Sequence, residues 1–108
     1  MPHLMEGLAA VYSGEGDYSR LKSKPKREPI EYLGQLYFSV RTTESLLGVL
    51  VDRLGKDSWV VGTDYPHVDT MGSWPHTVSV IQAREDLSAE AKEAILGGNA
   101  LRLFSLSA

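Results

Sequence analysis

Residues 58–67 read Ser58-Trp59-Val60-Val61-Gly62-Thr63-Asp64-Tyr65-Pro66-His67, a short apolar run followed at once by an acid and a histidine. The run at 59–62 has no alternating polar positions, which is typical of a parallel strand covered on both faces. In α/β enzymes the chemistry lies at the carboxyl ends of such strands. The sequence therefore predicts a buried strand at 59–62, with Asp64 just beyond its carboxyl end as a candidate catalytic residue.

A second strand is predicted at 35–40, where aromatic and branched residues are frequent. Between the two strands, Thr42 or Thr43 is expected to cap a helix that Gly55 ends. The buried stripe of this helix is predicted to consist of Leu46, Leu47, Leu50 and Leu54. Strand, helix and strand together span about 28 residues, the spacing of a parallel β-α-β unit.

Further helices are predicted at 2–12, 74–84, 89–96 and 99–104. Val78 and Ile81 are expected to point inward from the helix that Trp74-Pro75 opens, with Trp74 as a further candidate. Ser88 is expected to cap the next helix, and Gly97-Gly98 to terminate it. The region 13–34 is polar and is expected to be irregular.

Two strands are too few for a stable buried sheet. A buried parallel strand needs a neighbour on each side, and a two-stranded sheet leaves its edges unpaired. Either the chain forms a homo-oligomer that completes the sheet, or it is part of a longer protein.

Composition excludes several classes of protein. The 108 residues suffice for one domain, and the net charge of −3 favours neither nucleic acid nor anionic membranes. There is no cysteine, which excludes disulfides and thiolate ligands. No apolar run reaches the roughly 20 residues of a membrane helix, and no signal peptide is evident. A cytoplasmic protein without nucleic-acid or membrane partners is expected.

A cluster of basic residues admits two interpretations. It comprises Arg20, Lys22, Lys24, Lys26 and Arg27. Such a cluster could bind phosphate or nucleic acid, or could simply form a solvated loop. No aromatic residue is interleaved with the charges to stack on bases, which favours the loop.

Several motifs resemble the amidohydrolase-related family, in particular the branch that includes the aminocarboxymuconate-semialdehyde decarboxylase type. The hexapeptide at 62–67 looks like the family's Gly-Ser-Asp-Tyr-Pro-His after the last barrel strand, with Thr63 in place of serine. Trp74-Pro75 resembles the tryptophan–proline pair that follows this hexapeptide in the family. The stretches 2–12, 29–32 and 87–104 resemble the helix after the sixth strand, the segment before the seventh strand, and the closing helix.

The resemblance implies that residues 1–108 are the C-terminal segment of a single (β/α)8 TIM barrel. That segment is the last third of the barrel, its last two β/α units and closing helices. A complete barrel needs about 250 residues. The family's His-x-His on the first strand has no counterpart, because His3, His67 and His76 are the only histidines. The chain is therefore expected to lack most metal ligands.

The resemblance also implies roles for individual residues. Asp64 is expected to ligate a divalent metal, zinc or manganese in the complete enzyme, and to act as general acid or base. His67 could orient Asp64, contact substrate or hydrogen-bond the barrel rim, and of these contact with substrate is expected. Tyr65-Pro66 is expected to fix the turn that directs Asp64 inward. Asp69 and His76 are expected at the surface. The isolated chain could hold no metal at all.

The predicted function is metal-dependent hydrolysis or non-oxidative decarboxylation of a small carboxylated or cyclic substrate. The 108-residue chain by itself is expected to be inactive if its missing ligands are not supplied. The alternative is a non-catalytic α/β module that binds a partner through its sheet edge or its basic loop. Nucleophilic catalysis is not indicated, since no Gly-x-Ser-x-Gly elbow is present.

Overall fold

The computed structural model describes residues 2–13, 25–66 and 74–107. The chain divides into two compact units, Met1–Leu36 and Tyr37–Ala108. The assignment of residues 1–108 to one barrel domain stays a prediction.

The first unit contains two helices that contact each other. Helix α1 spans Pro2–Ser13, as predicted, and a 3₁₀ helix spans Pro29–Gln35 within the region expected to be irregular. Pro29 suits a first helical position because its missing N–H would have no partner there. The guanidinium of Arg27 lies 5.1 Å from the centre of the Tyr32 ring. Three of the five basic residues, those at 20, 22 and 24, lie outside the described residues.

The second unit alternates strands and helices. In chain order they are β1 (Phe38–Val40), α2 (Leu47–Leu54), β2 (Trp59–Val61), α3 (Thr77–Ala83), α4 (Ala89–Glu93), a π-helical segment (Ala94–Gly98) and α5 (Asn99–Leu103). No helix within residues 2–13, 25–66 and 74–107 is long and apolar enough to cross a membrane.

The two strands pair in parallel, with Phe38 opposite Trp59 and Val40 opposite Val61. The predicted strand–helix–strand unit is therefore confirmed, although β1 is shorter than expected. Within the described ranges these two strands form the whole sheet. An α/β fold with a small parallel sheet is established, whereas its place in the last third of a barrel stays a prediction.

Among the described residues of this unit, the helices pack against one face of the sheet, which differs from the expectation of burial on both faces. The side chains on the covered face belong to the apolar core or pack against it. That core consists of Val40, Leu47, Val51, Trp59, Ile81, Leu87, Ala91 and Ile95, with Phe38, Leu50, Leu54, Val61 and Leu96 packed around it. Successive residues of a strand point to opposite faces, so Ser39 and Val60 occupy the other face. Ser39 is exposed there, and Val60 is half-buried.

The start of α2 differs from the prediction. Neither Thr42 nor Thr43 caps it; the residue before the helix is Leu46, whose backbone N–H donates to Glu44 Oε1 at 3.0 Å. Thr42 is instead fully buried, and its carbonyl oxygen accepts a hydrogen bond from Arg84 Nη1. Because the helix begins later, Leu46 is 59% exposed and Val51 takes a place in the core. Gly55 ends the helix at φ 83°, as predicted.

The C-terminal helices also depart from the predicted bounds. Helix α3 begins at Thr77, and Val78 is 55% exposed whereas Ile81 is fully buried, so only Ile81 points inward. Ser88 caps α4 as predicted, its hydroxyl accepting from the Ala91 N–H at 3.1 Å. Gly97-Gly98 do not terminate the helix. The chain continues through the π-helical segment into α5, because Asn99 is anchored in the core.

Candidate active site at the carboxyl ends of the strands

The two parallel strands end at the same edge of the sheet. Val40 and Val61 are paired at that edge, so Arg41 and Gly62 leave the strands side by side. A depression of about 260 Å³ lies there, lined by Ser39, Val40, Arg41, Gly62 and Asp64. The candidate site is thus built by β1 and β2 together rather than by β2 alone.

Asp64 reaches this depression through a sharp change of chain direction. Its φ of 55° lies in the left-handed region, which aspartate tolerates better than most residues. The next turn is supported by a hydrogen bond from the Tyr65 N–H to Thr63 Oγ1 at 3.3 Å. The carboxylate is exposed to solvent and lines the depression with Ser39 and Arg41. It is therefore accessible to a ligand at the carboxyl ends of the strands.

Gly62 keeps the floor of the depression open. A Cβ atom built at this position would meet only Ser39 Oγ, at 3.8 Å. Among the described residues, the absence of a side chain leaves space beside the backbone of the strand end on the face that carries Ser39. A small ligand can therefore approach both strand ends closely.

Tyr65, the residue after Asp64, contacts Trp74. Their ring centres lie 5.5 Å apart with the planes at 77°, an edge-to-face contact. This contact brings the beginning of α3 back toward the end of β2. Trp74 is 37% exposed, so it does not point into the core.

The remaining candidate residues do not join Asp64. His67 and Asp69 lie outside the described residues, and their predicted roles stay predictions. His76 is exposed as expected and precedes α3, where its carbonyl oxygen accepts hydrogen bonds from Ser79 Oγ and the Val80 N–H. His3 is exposed on α1 in the other unit.

Sequence reasoning missed Ser39 and Arg41. The signal was present, because a parallel β-α-β unit brings the ends of both strands to one edge. The predicted first strand ended at Val40, so the next residue, Arg41, should have been placed beside Gly62. The lack of a recognisable motif around Arg41 left it unassigned.

A second depression, of about 320 Å³, lies at the opposite end of β2. It is lined by Lys56, Asp57, Glu90, Glu93, Ala94, Gly98, Asn99 and Arg102. Three of its charged residues are paired: Asp57 Oδ1 lies 3.0 Å from Arg102 Nη2 and 3.3 Å from Lys56 Nζ. The hydrogen bond from Arg102 lowers the pKa of Asp57. Although this depression is larger, its geometry serves to hold the amino end of β2 against α5.

The described residues do not by themselves fit a divalent metal. Among them, no three histidine, aspartate or glutamate side chains come together in a cluster that could hold such an ion. Asp64 is the one carboxylate among the residues that line the depression. Catalytic zinc takes three protein ligands, so two further donors would have to come from outside the described part of the chain.

A parallel β-α-β unit with an exposed aspartate at its carboxyl edge places this protein in the α/β class, whose ligand sites lie at such edges. A family model described as Amidohydrolase matches residues 32–106. The match covers well over half of the chain, and the protein therefore belongs to the amidohydrolase family. The predicted family is confirmed, whereas the decarboxylase-type branch stays a prediction.

Family membership gives the depression a chemical context. Amidohydrolases of this family generally use divalent metals and are typically TIM barrels. The family match supports a protein of the metal-dependent hydrolase kind. It does not favour the alternative of a non-catalytic α/β module. The matched residues include both strands, the depression and the closing helices.

Proposed function

We propose that this protein is the C-terminal part of a metal-dependent amidohydrolase barrel, with Asp64 as its catalytic carboxylate. The reaction is hydrolysis or non-oxidative decarboxylation of a small carboxylated or cyclic substrate. The observation that carries the proposal is the position of Asp64 in the depression at the carboxyl ends of two parallel strands.

Asp64 has two roles in this proposal. In the complete enzyme its carboxylate would be one ligand of a zinc or manganese ion, and that ion would supply a water activated as a nucleophile at neutral pH. A carboxylate oxygen also accepts a proton in the reaction and returns it to the product. The exposure of Asp64 supports both roles, because solvent and ligands reach it directly. His67, three residues further on, is proposed to contact the substrate.

Further strands are proposed to complete the site. The face of the sheet opposite the core carries exposed Ser39 and half-buried Val60. Ser39 also lines the depression. In a barrel this face points to the interior, while helices cover the other face. The missing metal ligands are proposed to come from those strands, supplied by a longer chain or by other copies of this one.

Manganese-induced line broadening in a ¹H–¹⁵N spectrum of the chain tests the role of Asp64. We expect Mn²⁺ to broaden the amide signals of residues 62–65 and 39–41 at low occupancy. Asp64→Asn should abolish this pattern, because an amide is a far weaker ligand for a hard cation than a carboxylate. The matched control is Asp52→Asn, at an exposed position of α2, which should leave the pattern unchanged.

Two results would count against the proposal. Broadening that persists in Asp64→Asn would place the metal elsewhere. Tight binding of one metal ion per isolated chain would contradict the claim that most of the ligands must be supplied from outside.

A further inference from the structure

We propose that Thr63 is a positioning residue for Asp64, because its hydroxyl closes the turn that holds Asp64 at the depression. The inference rests on the proposed function, since it concerns the residue proposed to be the catalytic carboxylate. Among the described residues, Asp64 lines the depression and Thr63 does not. Thr63 therefore acts through its neighbour rather than on a ligand.

The hydroxyl of Thr63 closes a turn around Asp64. Its Oγ1 accepts a hydrogen bond from the Tyr65 N–H at 3.3 Å, so a side chain reaches the backbone of the second residue along the chain. Serine and threonine hydroxyls form turns of this kind. Asp64 is enclosed between the acceptor and the donor, and the hydrogen bond therefore restricts its backbone angles.

The backbone conformation of Asp64 needs such support. Its φ of 55° lies in the left-handed region, which is less favourable for an L-residue than the right-handed region. Residues stay in sparsely populated regions only where the surrounding structure fixes them. A change of φ at Asp64 would turn its Cα–Cβ bond, and with it the carboxylate, away from the depression. The hydrogen bond to Thr63 thus favours the conformation that keeps the carboxylate there.

Asp64 does not close a turn of the same kind with its own carboxylate. Such a turn would need the N–H of the second residue further on, which is Pro66, and proline has no backbone N–H. The carboxylate is spared this local hydrogen bond, and Asp64 is exposed at the depression. The hydroxyl of Thr63 therefore serves the turn, while the carboxylate of Asp64 is left for a ligand.

Both partners of the hydrogen bond are held in place. Thr63, the acceptor, follows closely after β2, whose last residue is Val61. Tyr65, the donor, makes the edge-to-face contact with Trp74, with ring centres 5.5 Å apart. The strand and the aromatic contact thus limit the movement of the two residues on either side of Asp64.

Hydrogen exchange of the ¹⁵N-labelled chain, in the absence of metal, tests the inference. Thr63→Val keeps the branched shape of the side chain but removes the hydroxyl. We expect the Tyr65 amide then to exchange roughly threefold to tenfold faster, the value of one hydrogen bond. Thr63→Ser should keep the slow exchange of the unaltered chain. The amide of Val51, in the core, should exchange at the same rate in all three proteins if the fold is unchanged.

A second measurement follows the backbone of Asp64 itself. At a φ of 55° its amide hydrogen and its Hα nearly eclipse each other, so the cross-peak between them in a NOESY spectrum is strong. Thr63→Val should weaken this cross-peak, and Thr63→Ser should retain it. The matched control is Thr43→Val, which removes a hydroxyl from another exposed turn and should change neither measurement.

A weak Asp64 cross-peak in the unaltered chain would overturn the inference without the use of any variant. Exchange of Tyr65, or a cross-peak of Asp64, that is the same in Thr63→Val as in the unaltered chain would also overturn it. If manganese locates at Asp64 while Thr63→Val changes neither measurement, only the role of Thr63 fails. If both measurements respond as expected while manganese ignores Asp64 in the unaltered chain, Thr63 positions Asp64 as inferred and the proposed function fails.

Discussion

The side-chain amide of Asn99 donates a hydrogen bond of 2.6 Å to the carbonyl oxygen of Trp59. The same nitrogen donates to the carbonyl oxygen of Lys56 at 2.7 Å, and Arg102 donates to the Asn99 side-chain oxygen. Asn99 is fully buried. One side chain of α5 thus holds the chain at the beginning of β2, the strand that carries the candidate site at its other end.

Replacing Asn99 by alanine should therefore destabilise the fold. The substitution leaves the carbonyl oxygens of Lys56 and Trp59 without this partner, and we expect a loss of about 2–4 kcal/mol in the free energy of unfolding. Urea denaturation followed by circular dichroism measures it. Gln82→Ala, at an exposed position of α3, should change the free energy by no more than about 0.5 kcal/mol. A loss below 1 kcal/mol for Asn99→Ala would show that the anchor is unimportant.

Two glycines should respond oppositely to alanine. A Cβ at Gly48 would lie 2.5 Å from the carbonyl oxygen of Asp86, whereas nothing lies within 4 Å of a Cβ at Gly97. Gly48→Ala should lower the free energy of unfolding by about 1–3 kcal/mol because of this overlap. Gly97→Ala should raise it by up to about 1 kcal/mol through better helix propensity. Thermal or urea unfolding of both variants checks the signs; equal effects would contradict the packing of α2 against residue 86.

The orientation of α3 predicts a contrast between two of its aliphatic residues. Ile81 is fully buried in the core and Val78 is 55% exposed. Ile81→Ala should cost about 2–5 kcal/mol of unfolding free energy, because it leaves a cavity, and Val78→Ala about 0.5 kcal/mol or less. The measurement is urea unfolding with both variants compared to the unaltered chain. Similar costs would mean that α3 is rotated about its axis.

The ion pair between Arg84 and Asp86 predicts a pH dependence. The hydrogen bonds from Arg84, and the one from the Gly48 N–H, hold the pKa of Asp86 below its ordinary value of 3.8. A carboxyl group with a lowered folded-state pKa stabilises the fold above its unfolded pKa, and this contribution is lost as the pH falls through the folded pKa.

Asp86→Asn should accordingly be less stable than the unaltered chain at pH 7, by on the order of 1 kcal/mol for a pair in which the Asp86 side chain is 41% exposed. The difference should stay constant down to about pH 5 and shrink below about pH 4. Unfolding free energies measured from pH 7 to pH 3 test this. Arg84→Gln should show the same flattened pH profile. If the difference in unfolding free energy between Asp86→Asn and the unaltered chain grew as the pH fell, the lowered pKa of Asp86 would be contradicted.

The features that sequence predicted correctly have strong local causes. Gly55 ends α2 at a positive φ, and Ser88 caps α4 through its hydroxyl. Both effects depend on the residue itself and its nearest neighbours along the chain. The apolar run at 59–61 likewise indicated β2, because its pattern does not depend on distant residues.

The features that were wrong are set by distant contacts. Thr42 is a good capping residue by type, but its carbonyl accepts from Arg84, which is 42 positions away. Gly97-Gly98 are typical of a helix end, yet the helix continues because Asn99 is bound to the carbonyls of Lys56 and Trp59. The place of Asp64 was predictable from its strand, whereas its partners in the depression depended on the register of β1 with β2.

Crystals of the chain soaked with zinc, with anomalous data collected at the zinc edge, test the central claim most directly. Because the described residues supply only one of the ligands, we predict a partly occupied zinc site, with an anomalous peak about 2.0–2.2 Å from a carboxylate oxygen of Asp64, on the face of the sheet that carries Ser39. A carboxylate of Asp64 directed away from that face, with zinc bound elsewhere, would contradict the assignment of this edge as the active site.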